Sequence, residues 1–250
     1  MPFSVLVTGA NRGIGLELTR LLVSGPKPAD TVFATCRNTS DCKDLQDIQK
    51  SHSNLHILQL DVCEEASYPR LVQEVSNVVK DGGLNLLINN AGSASRGREL
   101  SVVTSEDMVQ LFRTNCVAPL MLTKAFLPLL RAAAADPAFA GDVMSDRRAA
   151  VLNINSRMGS IDDNKSGQRY AYRTSKVGLN SVTRSLGIDL RPDHILVVSM
   201  DPGWVRTRMG GANGKIAPEE SASRILTAMA KMTNQHTSTY VDHFGEPILW

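Results

Sequence analysis

Apolar runs and helix-period segments alternate along the chain from its first residues. The run SVLV (4–7) has no polar alternation within it, which predicts a strand buried on both faces. Ile14, Leu18, Leu21 and Leu22 then recur at helical spacing until Gly25 and Pro26 stop the helix. Further strand-like runs follow at TVFAT (31–35), NLHILQLDV (54–62), LNLLIN (84–89), AAVLNIN (149–155) and ILVVSM (195–200). Between them the spacing predicts helices over 41–52, 67–80, 104–135 and 170–190. Strands without internal alternation, separated by helices, point to an α/β fold with a parallel sheet covered on both faces.

Two stretches stand outside this alternation. Residues 136–148 (DPAFAGDVMSDRR) read as a loop carrying the chain into the fifth strand, and 202–215 (PGWVRTRMGGANGK) is rich in Gly and Arg directly after the sixth. The second lies at the C-terminal end of a strand, where open α/β sheets bind ligands.

Composition narrows the class without naming a function. A chain of 250 residues can enclose one sizeable core, so a single domain over 1–250 is expected. With 42% apolar and 21% charged residues the chain has the balance of a globular protein, not of a disordered one. The net charge of +2, with basic residues scattered, gives no footprint for nucleic acid. The apolar runs are short and strand-like, below the ~20 residues of a spanning helix, so no membrane partner is expected. The first residues carry no basic region, apolar stretch and cleavage site of a secretory signal. Cys36, Cys42, Cys63 and Cys116 form no CxxC pair, which speaks against a zinc site and a disulfide framework and for a reducing, cytoplasmic compartment.

Candidate chemistry begins at VLVTGANRGIG. Gly9, Gly13 and Gly15 fall directly after the first strand and at the opening of the first helix, where small residues let backbone N–H groups and the helix dipole approach a pyrophosphate. A tight strand-to-helix turn with no ligand is the plainer alternative; the position at the first strand–helix junction favours the nucleotide. At the end of the second strand a site for NAD usually presents an acid to the ribose hydroxyls. ATCRN offers Cys36 and Arg37 instead, and Arg12 lies in the glycine turn. Two guanidinium groups without a carboxylate favour a 2′-phosphate, hence NADP (NADPH); the alternative for Arg37 is an exposed loop arginine.

Taken together, TGANRGIG (8–15), LDV (60–62), NNAG (89–92), Asn115 in RTN, NINSRMGS (153–160), YRTSK (172–176) and PGWVRT (202–207) resemble the short-chain dehydrogenase/reductase family, in the family's order and over most of the chain. Within it, the wording CRN, YAYRTSK, PGWV and the terminal LW is similar to the sniffer carbonyl reductases. The resemblance implies a Rossmann-type doubly wound sheet of about seven strands. It also implies that Asn11, Arg12 and Ile14 share cofactor contacts with the three glycines, that Asp61 with Val62 meets the adenine, and that Asn89, Ala91 and Gly92 floor the ribose and nicotinamide. Pro202, Gly203, Val205 and Thr207 match the segment that orients the carboxamide and covers the pyrophosphate. Ser156 becomes the hydroxyl that binds the substrate carbonyl, with Ser160 the alternative; the family often has serine where Asn155 stands. Asn115 would hold a helix carbonyl and a water leading to Lys176, or else be a satisfied buried amide. Met158, Trp204 and Met209 line the substrate pocket or simply pack.

The stretch YAYRTSK contains two phenols. Tyr172 and Lys176 are four residues apart and share a helix face, whereas Tyr170 is six residues from the lysine and does not. Tyr172 is therefore the candidate acid, with the ammonium expected to lower its pKa, and Tyr170 a packing or substrate-wall residue. Lys176 would also bind the nicotinamide ribose, as the family does. The expected activity is NADPH-dependent reduction of a small-molecule aldehyde, ketone or quinone, in a protein that the resemblance allows to be a homodimer. A catalytically silent nucleotide-sensing or scaffold protein of the same fold is the rival, and the intact Ser156, Tyr172 and Lys176 set speaks against it. An epimerase or dehydratase would usually need a longer chain to build its substrate domain.

Overall fold

The computed structural model describes residues 3–94, 97, 99–139, 141 and 143–250. The first half lays down β1 (Ser4–Val7), α1 (Gly13–Ser24), β2 (Thr31–Cys36), α2 (Lys43–Ser51), β3 (Leu55–Gln59), α3 (Tyr68–Val79) and β4 (Leu86–Asn89). The second half adds α4 (Ser105–Phe112), α5 (Ala118–Ala134), β5 (Ala150–Ile154), α6 (Tyr170–Asp189), β6 (Leu196–Asp201), α7 (Pro218–Met229) and β7 (Thr239–Asp242). All seven strands pair in parallel in the order β3-β2-β1-β4-β5-β6-β7. The order reverses between β1 and β4, and that switch point opens a crevice at the carboxyl ends of the strands.

The apolar strands follow from having a helix layer on each side. Val5 and Val7 face one core with Leu18 and Leu22 of α1 and Ile225 of α7, while Leu6 faces the other with Leu71 of α3 and Leu122 and Phe126 of α5. Successive strand side chains point to opposite faces, so apolar residues are needed on both faces of the central strands and no apolar/polar alternation appears.

Several boundaries depart from the sequence pattern. β3 stops at Gln59, leaving Asp61 and Val62 beyond its end. The predicted helix over 104–135 is α4 and α5 joined by a π-helical segment, Arg113–Val117, which contains Asn115. Together these 30 residues are apolar and long enough to cross a membrane, so the expectation that every apolar run is short does not hold for helical segments. In the fold Leu122, Phe126, Leu130 and Ala133 are buried against the sheet. α7 and β7 have no counterpart in the predicted elements. α7 does carry helix-start signals, Pro218 in its first turn with Glu219 and Glu220. β7 is four residues long, and only Tyr240 and Val241 in it are buried. The 136–148 loop, of which Ala140 and Asp142 lie outside the described residues, is anchored by buried Arg148. That side chain donates to the carbonyls of Ala134 (2.8 Å), Gly141 (2.8 Å) and Val143 (3.0 Å), closing the end of α5.

Candidate active site

The glycine turn is shaped for close backbone approach. Gly9 and Gly13 sit at φ +64° and +56°, where a side chain is strained. A β-carbon on Gly9 would come within 2.9 Å of Ala91 Cα, and one on Gly13 within 3.2 Å of Thr207 Cγ2. One on Gly15 would press on the Gly9 carbonyl and on the Asn90 amide. Asn90, to which the sequence reading gave no role, locks this turn: its Nδ2 donates to the carbonyls of Thr8 (2.8 Å) and Gly9 (3.1 Å). Thr8 Oγ1 in return accepts the N–H groups of Asn90 and Ala91, both at 3.0 Å. Asn90 stands inside NNAG, so the motif carried the signal.

Arg12 is the exposed N-cap of α1 and makes no side-chain cap, while Asn11 and Ile14 are partly buried beside it. Arg37 follows buried Cys36 and is exposed at the end of β2. Asp61 Oδ1 accepts the Cys63 N–H (2.9 Å), and the Val62 carbonyl accepts the Tyr68 hydroxyl (2.6 Å). The Asn89 side chain is buried, where Nδ2 donates to Asn153 Oδ1 at 2.9 Å, and the residue lines a small pocket with Thr8, Val62 and Ala91. Ala91 is partly buried and Gly92 exposed. Across the crevice, Ser221 Oγ donates to the Pro202 carbonyl (2.7 Å), Gly203 takes φ +82°, and buried Val205 bridges to Ile216. That bracing puts Thr207 against Gly13. Trp204 (51% exposed) and Met209 (53%) stand open on the same loop, and Met158 is partly buried.

An NADP cofactor fits this end. Glycines at positive φ leave a cradle that β-carbons would fill, the first turn of α1 carries no side-chain cap, and Arg12 and Arg37 are exposed guanidinium groups suited to a 2′-phosphate.

The reacting end lies at the carboxyl end of β5. Ser156 is partly exposed, and its Oγ accepts the Met158 N–H at 3.2 Å. Ser160, by contrast, is 1% exposed; its hydroxyl accepts the Asp163 N–H (3.0 Å) and donates to the Trp250 carbonyl (3.4 Å). Of the two serines, Ser156 is the one whose hydroxyl acts on the Tyr172 phenol, favouring its ionised form. Lys176 is 5% exposed and donates Nζ to the Ile154 carbonyl at 2.8 Å.

Asn155, where the family often has serine, ties these groups together. Its Oδ1 accepts the Ser156 N–H (2.9 Å), and its Nδ2 reaches the Lys176 carbonyl (3.2 Å), Asn180 Oδ1 (2.6 Å) and Ser199 Oγ (2.8 Å). Asn115 is a satisfied buried amide. It exchanges hydrogen bonds with the Ser93 backbone, both at 2.8 Å, and donates to Ser175 Oγ at 3.0 Å, so its side chain holds a loop and a hydroxyl, not a helix carbonyl. Ser175 Oγ donates to the Tyr172 carbonyl (2.7 Å), which fixes the first turn of α6.

Electrostatics at this end run against one expectation. Burial pushes the Tyr172 phenol up, the Ser156 hydrogen bond pulls it partly back, Asp201 pushes it further up and Arg169 opposes. The net direction is upward, against the expectation of a lowered phenol; the Lys176 ammonium donates to the Ile154 carbonyl and lies 5.9 Å from the Tyr172 ring centre. Burial lowers Lys176 itself to about 8, against the raising effects of Asp201 and Cys116.

The sequence matches the family model described as short chain dehydrogenase over residues 4–216. Carbonyl reductase Sniffer of D. melanogaster is 42% identical, with TM-score 0.96 and full coverage of both chains. An NADPH-bound carbonyl reductase from chicken fatty liver is 38% identical, with TM-score 0.95 over 100% of this chain and 94% of that one. The C-signal protein of Myxococcus xanthus is 36% identical over 169 residues, which is 68% of this chain and 94% of its own. With the glycine turn, the parallel sheet and the serine, tyrosine and lysine gathered at β5, the chain belongs to the short-chain dehydrogenase family.

Proposed function

We propose that the protein is a carbonyl reductase that uses NADPH to reduce an aldehyde, ketone or quinone. The observation that carries the reading is the gathering of Ser156, Tyr172 and Lys176 at the carboxyl end of β5, where the Ser156 hydroxyl acts on the Tyr172 phenol and the Lys176 ammonium lies 5.9 Å from the Tyr172 ring centre. NADPH, when bound, supplies the hydride. Gly9, Gly13 and Gly15 with the start of α1 hold the pyrophosphate, Arg12 and Arg37 the 2′-phosphate, and Thr207 closes over the turn. Ser156 Oγ holds the substrate oxygen. Tyr172 Oη gives its proton to that oxygen as negative charge develops there, and its burial keeps the phenol protonated until then. Lys176, near 8, carries its charge at neutral pH and would hold the cofactor ribose. Asn115 acts through Ser175 on the helix that presents Tyr172. The similarity to two carbonyl reductases, one of them NADPH-bound, supports both the cofactor and the substrate class.

The test is consumption of NADPH against a panel of quinones, aldehydes and ketones. Turnover with some of them is expected. Tight NADPH binding with no turnover on any would favour the silent, nucleotide-sensing reading.

A further inference from the structure

Both backbone groups of Ser156 are held by side chains. Its N–H donates to Asn155 Oδ1 at 2.9 Å, and its carbonyl accepts the hydroxyl of Tyr240, which lies 84 residues further along the chain on β7. Tyr240 is 2% exposed, and its ring centre is 5.8 Å from that of Trp250. Trp250 in turn accepts, at its carbonyl, the N–H groups of Ile161 (3.0 Å) and Asp162 (3.2 Å). The turn that follows β5 is thus gripped at its start by Tyr240 and at its end by Trp250, and the two rings pack on each other. Between them Arg157 N–H donates to Asp201 Oδ1 at 2.9 Å.

Ser156 needs such a grip. The paired register of β5 with β6 ends at Ile154, so no strand ladder fixes the Ser156 carbonyl. Its other donor, the Gly159 N–H at 2.7 Å, belongs to the same turn and moves with it. Tyr240 is anchored in the sheet through the pairing of β7 with β6. Burial pushes its phenol far above the ordinary value, so it remains a donor at any working pH.

We propose that Tyr240 is a positioning residue for carbonyl reduction: its hydroxyl fixes the Ser156 peptide so that Ser156 Oγ is held beside Tyr172, and Trp250 backs its ring. The inference rests on the reductase reading, in which Ser156 Oγ binds the substrate oxygen.

Tyr240→Phe keeps the ring and removes only the hydroxyl. A kcat about tenfold lower is expected, because small misplacements of reacting groups are costly, with an NADPH Kd that does not move. In a Ser156→Ala background there is no hydroxyl to position, so the same substitution should change kcat by less than about twofold. An unchanged kcat for Tyr240→Phe, or an equal loss in both backgrounds as a general structural defect would give, overturns the proposal. If Tyr240→Phe folds poorly, Trp250→Ala keeps the hydroxyl and removes the ring behind it. It should lower kcat about threefold with the same unchanged Kd, and wild-type kcat there overturns the proposal equally. A wild-type protein that binds NADPH but reduces no carbonyl rejects the reductase reading instead, and that result precedes any variant.

Discussion

Tyr170 begins α6 with its side chain 40% exposed, while Tyr172 is partly buried against the Ser156 hydroxyl. Tyr172→Phe should therefore lower the reduction rate by about 10²–10⁴, the usual cost of losing a general acid, with NADPH binding nearly unchanged, and Tyr170→Phe should retain most activity. Steady-state rates and a cofactor titration on both variants decide it; the opposite pattern would reject Tyr172. Ser156→Ala should depress turnover and Ser160→Ala much less, since Ser160 spends its hydroxyl on Asp163 and Trp250. Equal rate losses would mean that the serine of the site is misassigned. Lys176 adds a pH dependence. Its ammonium, held down to about 8 by burial, loses its proton as pH rises through that value, well before an ordinary lysine at 10.5. Carbonyl reduction is expected to decline above about pH 8, and a rate that stays level to pH 10 would show that Lys176 keeps its proton.

Helix and strand ends place these side chains. The π-helical segment between α4 and α5 turns Asn115 toward Ser93 and Ser175, and such bulges are frequent at functional sites. The periodicity of 104–135 could not reveal it, because one extra residue in a turn barely disturbs an apolar face. The joint before β4 is more demanding. Gly83 sits at φ +68°, and a β-carbon there would press on the Leu129 carbonyl and the Ala133 N–H of α5, while the next residue, Leu84, donates its N–H to Leu129 at 2.9 Å. Gly83→Ala combines a left-handed backbone with a clash against backbone atoms, so it should cost more than about 1 kcal/mol of stability. Urea unfolding should show a lower midpoint at an unchanged slope, and an unaltered midpoint would show that the joint relaxes freely.

At the scale of the whole molecule, the expected cofactor choice rests on two arginines, Arg12 at the N-cap of α1 and Arg37 after β2. Arg12 and Arg37 are both exposed, and no carboxylate stands at the end of β2. If each charge-assisted contact to the 2′-phosphate is worth ~1.5–3 kcal/mol, NADPH should bind at least about ten- to a hundredfold more tightly than NADH, with solvent exposure favouring the lower figure. Arg37→Asp should shrink or reverse the preference by repelling the phosphate and accepting from the ribose hydroxyls. Calorimetric titration at moderate salt measures it, and equal dissociation constants for the unmodified protein would refute the arginine reading.

What the sequence alone determined is what short-range periodicity encodes. Strands without polar alternation pointed to a sheet covered on both faces, the glycines after β1 marked the turn, and helical spacing chose Tyr172 over Tyr170 as the partner of Lys176. Only the tertiary structure separated Ser156 from Ser160, because they are the same residue type in one short stretch and differ in burial and partners. It alone paired Asn89 with Asn153, made Asn155 the tie between serine and lysine, and brought Tyr240 of β7 to the Ser156 carbonyl. The direction of the Tyr172 shift belongs to the same group. A pKa follows burial and the charges nearby, and those come from residues far along the chain that meet only when the sheet has formed.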